Sequence, residues 1–184
     1  MEQSVILAGF GGQGLLFAGT VLARAVLIED REVLWIPAYG PEMRGGTAAC
    51  TVIVADEPVG SPIVDRLDVL IALNPPSLAK YEHLLAPGGL LVVNDSLVEA
   101  EASRTDVEVV RPRCTTVATR AGDERMTSVV GLGAALARRP IVQPDSARAA
   151  LTALLEKRGA GVLAANLAAF QAGLEGTAAA LPSR

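Results

Sequence analysis

The sequence predicts an α/β fold, a Rossmann-like three-layer domain with a mainly parallel sheet that can include antiparallel strands, and a helical C-terminal region. Three observations predict it. Short apolar runs alternate with helix-like stretches over the first 110 residues. A glycine-rich turn joins the first run to the first helix-like stretch. After Ala121-Gly122-Asp123 the strand pattern stops and only helix-like stretches follow.

Runs rich in valine, isoleucine and leucine are predicted to be strands: Val5 to Ala8, Val33 to Ile36, Ala49 to Val54, Val69 to Leu73, Leu90 to Val93 and Val107 to Val110. The first helix is predicted over Leu15 to Leu27, and a short one over Pro76 to Leu85 is stopped by Pro87-Gly88-Gly89. The stretch from Thr47 to Ala55 mixes threonine with apolar residues, and its direction in the sheet stays open.

The C-terminal helices are predicted at about Thr127 to Ala137, Asp145 to Lys157 and Gly161 to Leu174, with Asp145 or Ser146 as a natural cap. We expect one domain over residues 4–175 and a frayed tail over 176–184. Aromatic residues make up only 3% of the chain, so alanine, valine and leucine should build the core, with Trp35 as its one large filler.

The composition disfavours several classes of function. A net charge of −4 argues against a general nucleic-acid surface. No basic leader or membrane-length apolar run is present, so the predicted location is the cytoplasm, with no membrane partner. Cys50 and Cys114 belong to no C-x-x-C motif, and we expect two small buried hydrophobes, with no metal site or iron–sulfur cluster held by this chain alone.

The turn after the first strand is the first candidate binding site. Gly9, Gly11 and Gly14 fit the pattern GxGxxG, with Gly12 between them, and such a turn lets main-chain N–H groups approach an anion. A tight turn that binds nothing is the alternative. Gln13 either faces the ligand with its amide or shapes the loop through a hydrogen bond, and the sequence favours neither.

Ligands of open α/β sheets gather beyond the carboxyl ends of the strands, which points to three further segments. The richest is Tyr39 to Gly46, where Arg44 precedes Gly45 and Gly46 and offers a guanidinium beside backbone donors. Arg44 could instead pair with a carboxylate such as Glu42 and brace the loop. The other segments are Asn74-Pro75, with Asn74 as the candidate ligand contact, and Asn94-Asp95-Ser96.

The sequence shows no evident catalytic motif. The second strand lacks the acidic residue near its end that would hold the ribose of NAD, which disfavours a dehydrogenase. The single histidine, His83, is expected to be solvated or capping, and neither a nucleophile elbow nor a zinc motif is present. The motif by which thiamine diphosphate enzymes commonly hold magnesium is also missing. We therefore expect no catalytic residue in this chain.

Four motifs in this order resemble the gamma subunit of 2-oxoacid:ferredoxin oxidoreductases: Gly9 to Gly14, Tyr39 to Thr47, Gly60-Ser61-Pro62 and Asp68 to Leu73. The resemblance runs from about Val5 to Leu174 and includes Asn166 to Phe170 of the final helix. The sequence of the Tyr39 to Gly46 segment is more similar to that of the 2-oxoglutarate and branched-chain members than to that of the pyruvate branch. Ser128 stands where relatives often have asparagine.

The resemblance implies oxidative decarboxylation of a 2-oxoacid on thiamine diphosphate, electron transfer through iron–sulfur clusters to ferredoxin, and release of acyl-CoA. It implies a subunit that is inactive alone and helps to bind coenzyme A through Gly9 to Gly14 and Arg44. Thiamine diphosphate, magnesium and the clusters would belong to alpha, beta and ferredoxin-like delta partners. The competing interpretations are a stand-alone NAD(P)-dependent oxidoreductase and an assembly module that binds no ligand. Among substrates, 2-oxoglutarate is the preferred expectation.

Overall fold

The computed structural model describes residues 2–39 and 47–178, which form one six-stranded sheet and six α-helices. The strands are β1 (Glu2–Phe10), β2 (Glu32–Tyr39), β3 (Thr47–Ala55), β4 (Leu67–Ala72), β5 (Leu85–Val93) and β6 (Glu108–Val110). The helices are α1 (Leu15–Ile28), α2 (Pro75–Tyr81), α3 (Cys114–Ala121), α4 (Thr127–Arg138), α5 (Pro144–Leu155) and α6 (Ala160–Ala178). Single 3-10 turns follow α2, precede α4 and follow α5.

The strand order is β2-β3-β1-β4-β5-β6, and only β3 runs against the others. The predicted α/β class with a mainly parallel sheet is confirmed, and the open direction of residues 47–55 is resolved as antiparallel to both neighbours. In the register of the sheet, Ala8 pairs with Ala72 of β4, and Phe10 pairs with Thr47 of β3. The glycine turn therefore leaves the sheet where β1 is flanked by both of these strands.

Alternate residues of the inner strands supply two cores, one on each face of the sheet. Val5 and Leu7 of β1 belong to the larger core, which is completed by buried residues of α1, α3, α4, α5 and α6. Ile6 and Ala8 belong to the smaller core, which includes Leu78 of α2. This alternation is the pleat of a strand buried on both faces, and it produces the three layers.

Two glycines bring α4 and α6 close together inside the larger core. A Cβ atom added to Gly133 of α4 would overlap the carbonyl oxygen of Phe170, and one added to Gly173 of α6 would overlap that of Val130. Phe170 is the largest fully buried side chain among the described residues. The prediction that Trp35 fills the core is wrong: it lies on the edge strand β2, where its indole packs beside Gly19 of α1 at the margin of the sheet and keeps 36% of its surface exposed.

Several local expectations differ from the structure. The predicted cap of α5 at Asp145 or Ser146 is wrong: Pro144 begins the helix and Gln143 precedes it without a side-chain cap, since proline suits the first helical position. Pro87-Gly88-Gly89 lies inside β5 instead of ending a helix. Helix α3 has no predicted counterpart. Helix α6 continues to Ala178, three residues into the predicted tail over 176–184.

Candidate ligand-binding site

The turn between β1 and α1 is built around two left-handed glycines. Gly12 has φ of 99° and Gly14 has φ of 78°, a region that L side chains rarely adopt. Gly14 is the N-cap of α1, with no side-chain hydrogen bond to the first turn and no acidic residue in that turn. Among the described residues, no side chain therefore caps the first N–H groups at the positive dipole end of this helix.

Gln13 shapes this turn through its own side chain. The residue is 4% exposed, and its Oε1 accepts a hydrogen bond of 2.8 Å from the N–H of Phe10. The space beside the Cα of Gly9 holds that amide, because an added Cβ there would overlap Oε1 and would lie 3.0 Å from the Cβ of Leu73. Of the two roles that the sequence left open for Gln13, the structure shows the loop-shaping one, and Gly9 is required for it.

Gly14 is required by the neighbouring chain segment. An added Cβ would overlap the carbonyl oxygen of Arg125 and lie 3.1 Å from the Oγ of Ser128. Ser128 is fully buried and donates from Oγ (2.7 Å) and N (3.2 Å) to the carbonyl oxygen of Gln13. The start of α4 thus holds the glycine turn in place. The sequence marked Ser128 only as a departure from relatives and gave it no role.

Gly11 and Gly12 are the open part of the turn. Both are exposed, and an added Cβ at either would meet no atom within 4 Å. Within the described ranges, their N–H groups donate no backbone hydrogen bond. These donors beside the start of α1 are the chemistry that an anionic ligand requires.

A cavity of about 950 Å³ opens beside the turn. Its walls are mostly apolar and come from the turn, α1, the segment after α3, the end of α5 and the first half of α6. The lining comprises Phe10, Gly11, Gly12, Gly14, Leu15, Leu16, Phe17, Ala48, Ala121, Gly122, Asp123, Arg125, Met126, Leu154, Leu155, Arg158, Gly161, Val162, Ala165 and Asn166. Sequence reasoning missed the part after residue 120, because distant helices contribute it.

The charged residues of the cavity lining are Asp123 and two arginines. Arg125 donates from Nε to both carboxylate oxygens of Asp123, at 2.8 and 3.1 Å, and its side chain is 78% exposed. The hydrogen bonds from Arg125 lower the pKa of the Asp123 carboxyl, and the same contact raises the pKa of Arg125. Arg158 is exposed, and in the described part of the chain its guanidinium makes no ion pair or hydrogen bond.

The predicted contact Asn74 lies outside the cavity lining. It is fully buried, and its Oδ1 accepts 2.8 Å from the N–H of Ser77 as the N-cap of α2. Within residues 2–39 and 47–178, its Nδ2 and the hydroxyl of Ser77 have no hydrogen-bond partner. The structure thus shows Asn74 as a cap at the same sheet edge as Gly9, since the N–H of Leu73 donates to Ala8 O.

Asn94, from the third predicted segment, is also a structural group. It is fully buried, and Nδ2 donates to the carbonyl oxygen of Leu73 (3.1 Å) and to the hydroxyl of Thr115 (2.9 Å). Its Oδ1 accepts from the N–H groups of Ser96 and Thr115. Four hydrogen bonds therefore tie the ends of β4 and β5 to the start of α3.

The predicted residues Arg44, Gly45 and Gly46 lie outside the described residues. The strands on either side of residues 40–46 are described: Thr47 of β3 pairs with Phe10 beside the turn, and Tyr39 of β2 pairs with Ala48 of β3.

Both cysteines are buried, as predicted, and burial raises the pKa of each thiol to about 12. Among residues 2–39 and 47–178, no group of three histidine, cysteine or acidic side chains could hold a metal ion. The described helices include none with the length and apolar character to cross a bilayer.

Comparison with known proteins identifies the family. Residues 4–176 match the model of the pyruvate ferredoxin/flavodoxin oxidoreductase family. The chain belongs to that family. The 2-oxoglutarate synthase subunit KorC of Methanocaldococcus jannaschii is 33% identical over 95% of this chain and 94% of its own length. The ketoisovalerate oxidoreductase subunit VorA of Methanothermobacter thermautotrophicus is 43% identical over 136 residues, and the chain spans only 28% of that relative's length.

Solved structures of relatives share the fold of this family member. The gamma subunit of a keto/oxoacid ferredoxin oxidoreductase from Geobacter sulfurreducens matches 97% of this chain with a TM-score of 0.82 and 30% identity. The 2-oxoglutarate:ferredoxin oxidoreductase from Magnetococcus marinus, solved with 2-oxoglutarate, coenzyme A and succinyl-CoA bound, matches 99% of it with a TM-score of 0.87 and 25% identity. This chain covers 32% of that protein. The resemblance to gamma subunits is confirmed.

Proposed function

We propose that the chain is the gamma-type subunit of a complex that converts a 2-oxoacid and coenzyme A into acyl-CoA, CO₂ and reduced ferredoxin. Residues 4–175 act in it as one domain that holds coenzyme A. Thiamine diphosphate, magnesium and the iron–sulfur clusters are assigned to partner subunits, since the described residues offer no matching donor set and both thiols are buried. Carbon–carbon bond cleavage and electron transfer take place on those partners.

The observation that carries the proposal is the open turn at Gly11 and Gly12. Its N–H groups donate to no described residue, and they lie beside the start of α1, which no described side chain caps and where negative charge is stabilised. Coenzyme A is a polyanion whose pyrophosphate needs such donors. Gly9, Gln13 and Gly14 set the shape of the turn. Arg44 is three residues from Thr47, a span of at most about 11 Å, and supplies the guanidinium.

The test is Gly11→Ala in the assembled complex. No atom lies within 4 Å of the added methyl group and Gly11 has no positive φ, so the fold should tolerate it. The methyl group would stand in the path of the phosphates, and we expect the apparent KM for coenzyme A to rise about tenfold or more, an effect equivalent to losing one charge-assisted hydrogen bond. Gly176→Ala, also in open space but away from the cavity lining, is the matched control.

Arg44→Ala should raise the same KM about tenfold or more, while native mass spectrometry shows an intact complex. If the KM stayed unchanged and assembly failed, Arg44 would brace an interface. If Gly11→Ala and Arg44→Ala left both coenzyme A binding and assembly unaltered, the turn would be a packing feature only. Oxidation of a substrate by the isolated chain with NAD would refute the subunit proposal and favour a stand-alone oxidoreductase.

We propose 2-oxoglutarate as the substrate of the complex. The 2-oxoglutarate synthase subunits KorC of Methanocaldococcus jannaschii and Methanothermobacter thermautotrophicus match over nearly their whole length, whereas the ketoisovalerate relatives match over about a quarter of theirs. The test is the ratio of kcat/KM for 2-oxoglutarate to that for 2-oxoisovalerate, measured on the native complex. A ratio below one would replace 2-oxoglutarate with the branched-chain acid.

A further inference from the structure

We propose that Ser128 is a positioning residue for the proposed reaction: by holding the carbonyl oxygen of Gln13, it turns the N–H of Gly14 toward the bound anion. The inference rests on the proposed function and deepens it. Ser128 is fully buried and lies outside the cavity lining, so it does not touch the ligand. It acts by setting which atoms of one peptide the glycine turn presents to its ligand.

The carbonyl oxygen of Gln13 is held by two donors of one residue. The Oγ of Ser128 donates to it at 2.7 Å, and the main-chain N of Ser128 donates to it at 3.2 Å. Ser128 is the second residue of α4, and the residue that precedes this helix, Met126, makes no side-chain capping hydrogen bond. The oxygen of Gln13 therefore also caps the start of α4, where the positive end of the helix dipole favours it.

The orientation of this oxygen determines the direction of the next N–H group. The peptide bonds of the described residues are all trans, and in a planar trans peptide the C=O and N–H bonds point in opposite directions. The N–H of Gly14 therefore points away from Ser128. Gly14 lines the cavity, and its N–H donates to no main-chain oxygen of the described residues. In this orientation the peptide adds a third donor to those of Gly11 and Gly12.

A peptide that precedes glycine needs such an anchor, because it can turn over at little cost. Turning it over exchanges the places of the Gln13 oxygen and the Gly14 N–H, as between type I and type II turns. Glycine adopts both signs of φ, and Gly14 has φ of 78° in the anchored state. The turned peptide would present a carbonyl oxygen to the anion and repel it. The hydroxyl of Ser128 therefore stabilises the orientation that binds.

Thr127, the residue before Ser128, provides a matched control in the same turn of α4. It is also fully buried, and its Oγ1 donates to the carbonyl oxygen of Glu124 at 2.6 Å. That oxygen belongs to the 3-10 turn before α4 and not to the glycine turn. Thr127→Val and Ser128→Ala each remove one hydroxyl that donates to a main-chain oxygen. Only Ser128→Ala removes an anchor of the peptide between Gln13 and Gly14.

The test is steady-state kinetics of the assembled complex, with assembly checked by native mass spectrometry. Ser128→Ala should raise the KM for coenzyme A about fivefold, since affinity falls with the fraction of turns in the binding orientation. This change corresponds to about 1 kcal/mol, or one neutral hydrogen bond. The kcat and the KM for the 2-oxoacid should stay native. Thr127→Val should leave all three constants native. Ser128→Cys keeps a weaker donor and should give an intermediate KM for coenzyme A.

A crystal structure of the Ser128→Ala complex without coenzyme A measures the orientation of the peptide directly. In a substantial part of the molecules, the Gln13 oxygen should point away from α4, whereas Thr127→Val should keep it in place. A raised KM with the peptide unmoved would overturn the inference, because Ser128 would then act by another route.

The kinetic outcomes separate the inference from the function on which it rests. If Gly11→Ala raises the KM for coenzyme A and Ser128→Ala does not, the turn binds the carrier without this anchor, and the inference is overturned. If Ser128→Ala and Thr127→Val raise the KM equally, Ser128 only stabilises the start of α4, which also overturns it. If Gly11→Ala and Ser128→Ala both leave coenzyme A kinetics unaltered, the proposed function falls with the inference. A raised KM in Ser128→Ala, with a native KM in Thr127→Val, supports the inference.

Discussion

The contact between α4 and α6 allows a quantitative test of the fold with two glycines of one helix. Alanine at Gly173 would place its Cβ 3.0 Å from the carbonyl carbon of Val130 and 3.1 Å from the N of Ala134. Favourable contact between carbon atoms needs about 3.5–4.0 Å, so the helices must separate by at least about 0.5 Å. At Gly176, three residues further along α6, the same methyl group would meet no atom within 4 Å.

Both substitutions gain the same helix propensity of about 1 kcal/mol, which cancels in their difference. The remaining overpacking term is typically about 1–3 kcal/mol, and we expect the upper end because the atoms in contact are backbone. The free energy of unfolding of Gly173→Ala should therefore be about 3 kcal/mol lower than that of Gly176→Ala, and its Tm about 6–12 °C lower. Urea and thermal unfolding of the full chain measure it. A difference below about 1 kcal/mol would show that the helices can part at little cost.

Three further predictions concern buried and paired groups. With a pKa of about 12, Cys50 and Cys114 should react with a thiol reagent at pH 8 about a thousandfold more slowly in the native chain than after unfolding, and equal rates would contradict their burial. Asn94→Ala should destabilise the chain by about 3 kcal/mol in urea unfolding, because it leaves buried partners unpaired, and a loss under 1 kcal/mol would contradict this. Carbon NMR should show the Asp123 carboxyl titrating below the ordinary range of an aspartate. Its pairing with Arg125 therefore persists at neutral pH and is lost as pH falls through the lowered pKa. Arg125→Ala should raise the midpoint of this titration.

The strands and their order of appearance could be predicted because buried strands leave continuous apolar runs. The direction of β3 was left open, although a signal existed. Only seven residues separate Tyr39 from Thr47, and a parallel connection between neighbouring strands needs about a dozen or more. If β2 and β3 are neighbours, this spacing requires them to be antiparallel, as the structure shows.

Helix α3 was missed because it is short and rich in threonine, which favours strands as much as helices. Its apolar spacing was nevertheless present: Cys114, Val117, Ala118 and Ala121 follow the i, i+3, i+4, i+7 pattern, and all are at least partly buried. The position of Trp35 could not be deduced, because an edge strand and an inner strand can have the same alternation.

The candidate site could be predicted only in its local part. The glycine turn is one contiguous motif, so its position follows from the sequence. Arg125, Arg158 and Asn166 come together with it through the packing of three separate segments, and no local pattern connects them. Asn74 and Asn94 followed strands as ligand contacts often do, but both are used to cap and join elements.

The way Gln13 fills the space beside Gly9 bears on how such turns change during evolution. A descendant that had lost every ligand would still need glycine at positions 9 and 14, because the amide of its own turn and the start of α4 occupy those places. Position 11 carries no such folding requirement. A substitution at position 11, with glycine kept at positions 9 and 14, would mark a paralogue that has kept the fold and lost the ligand.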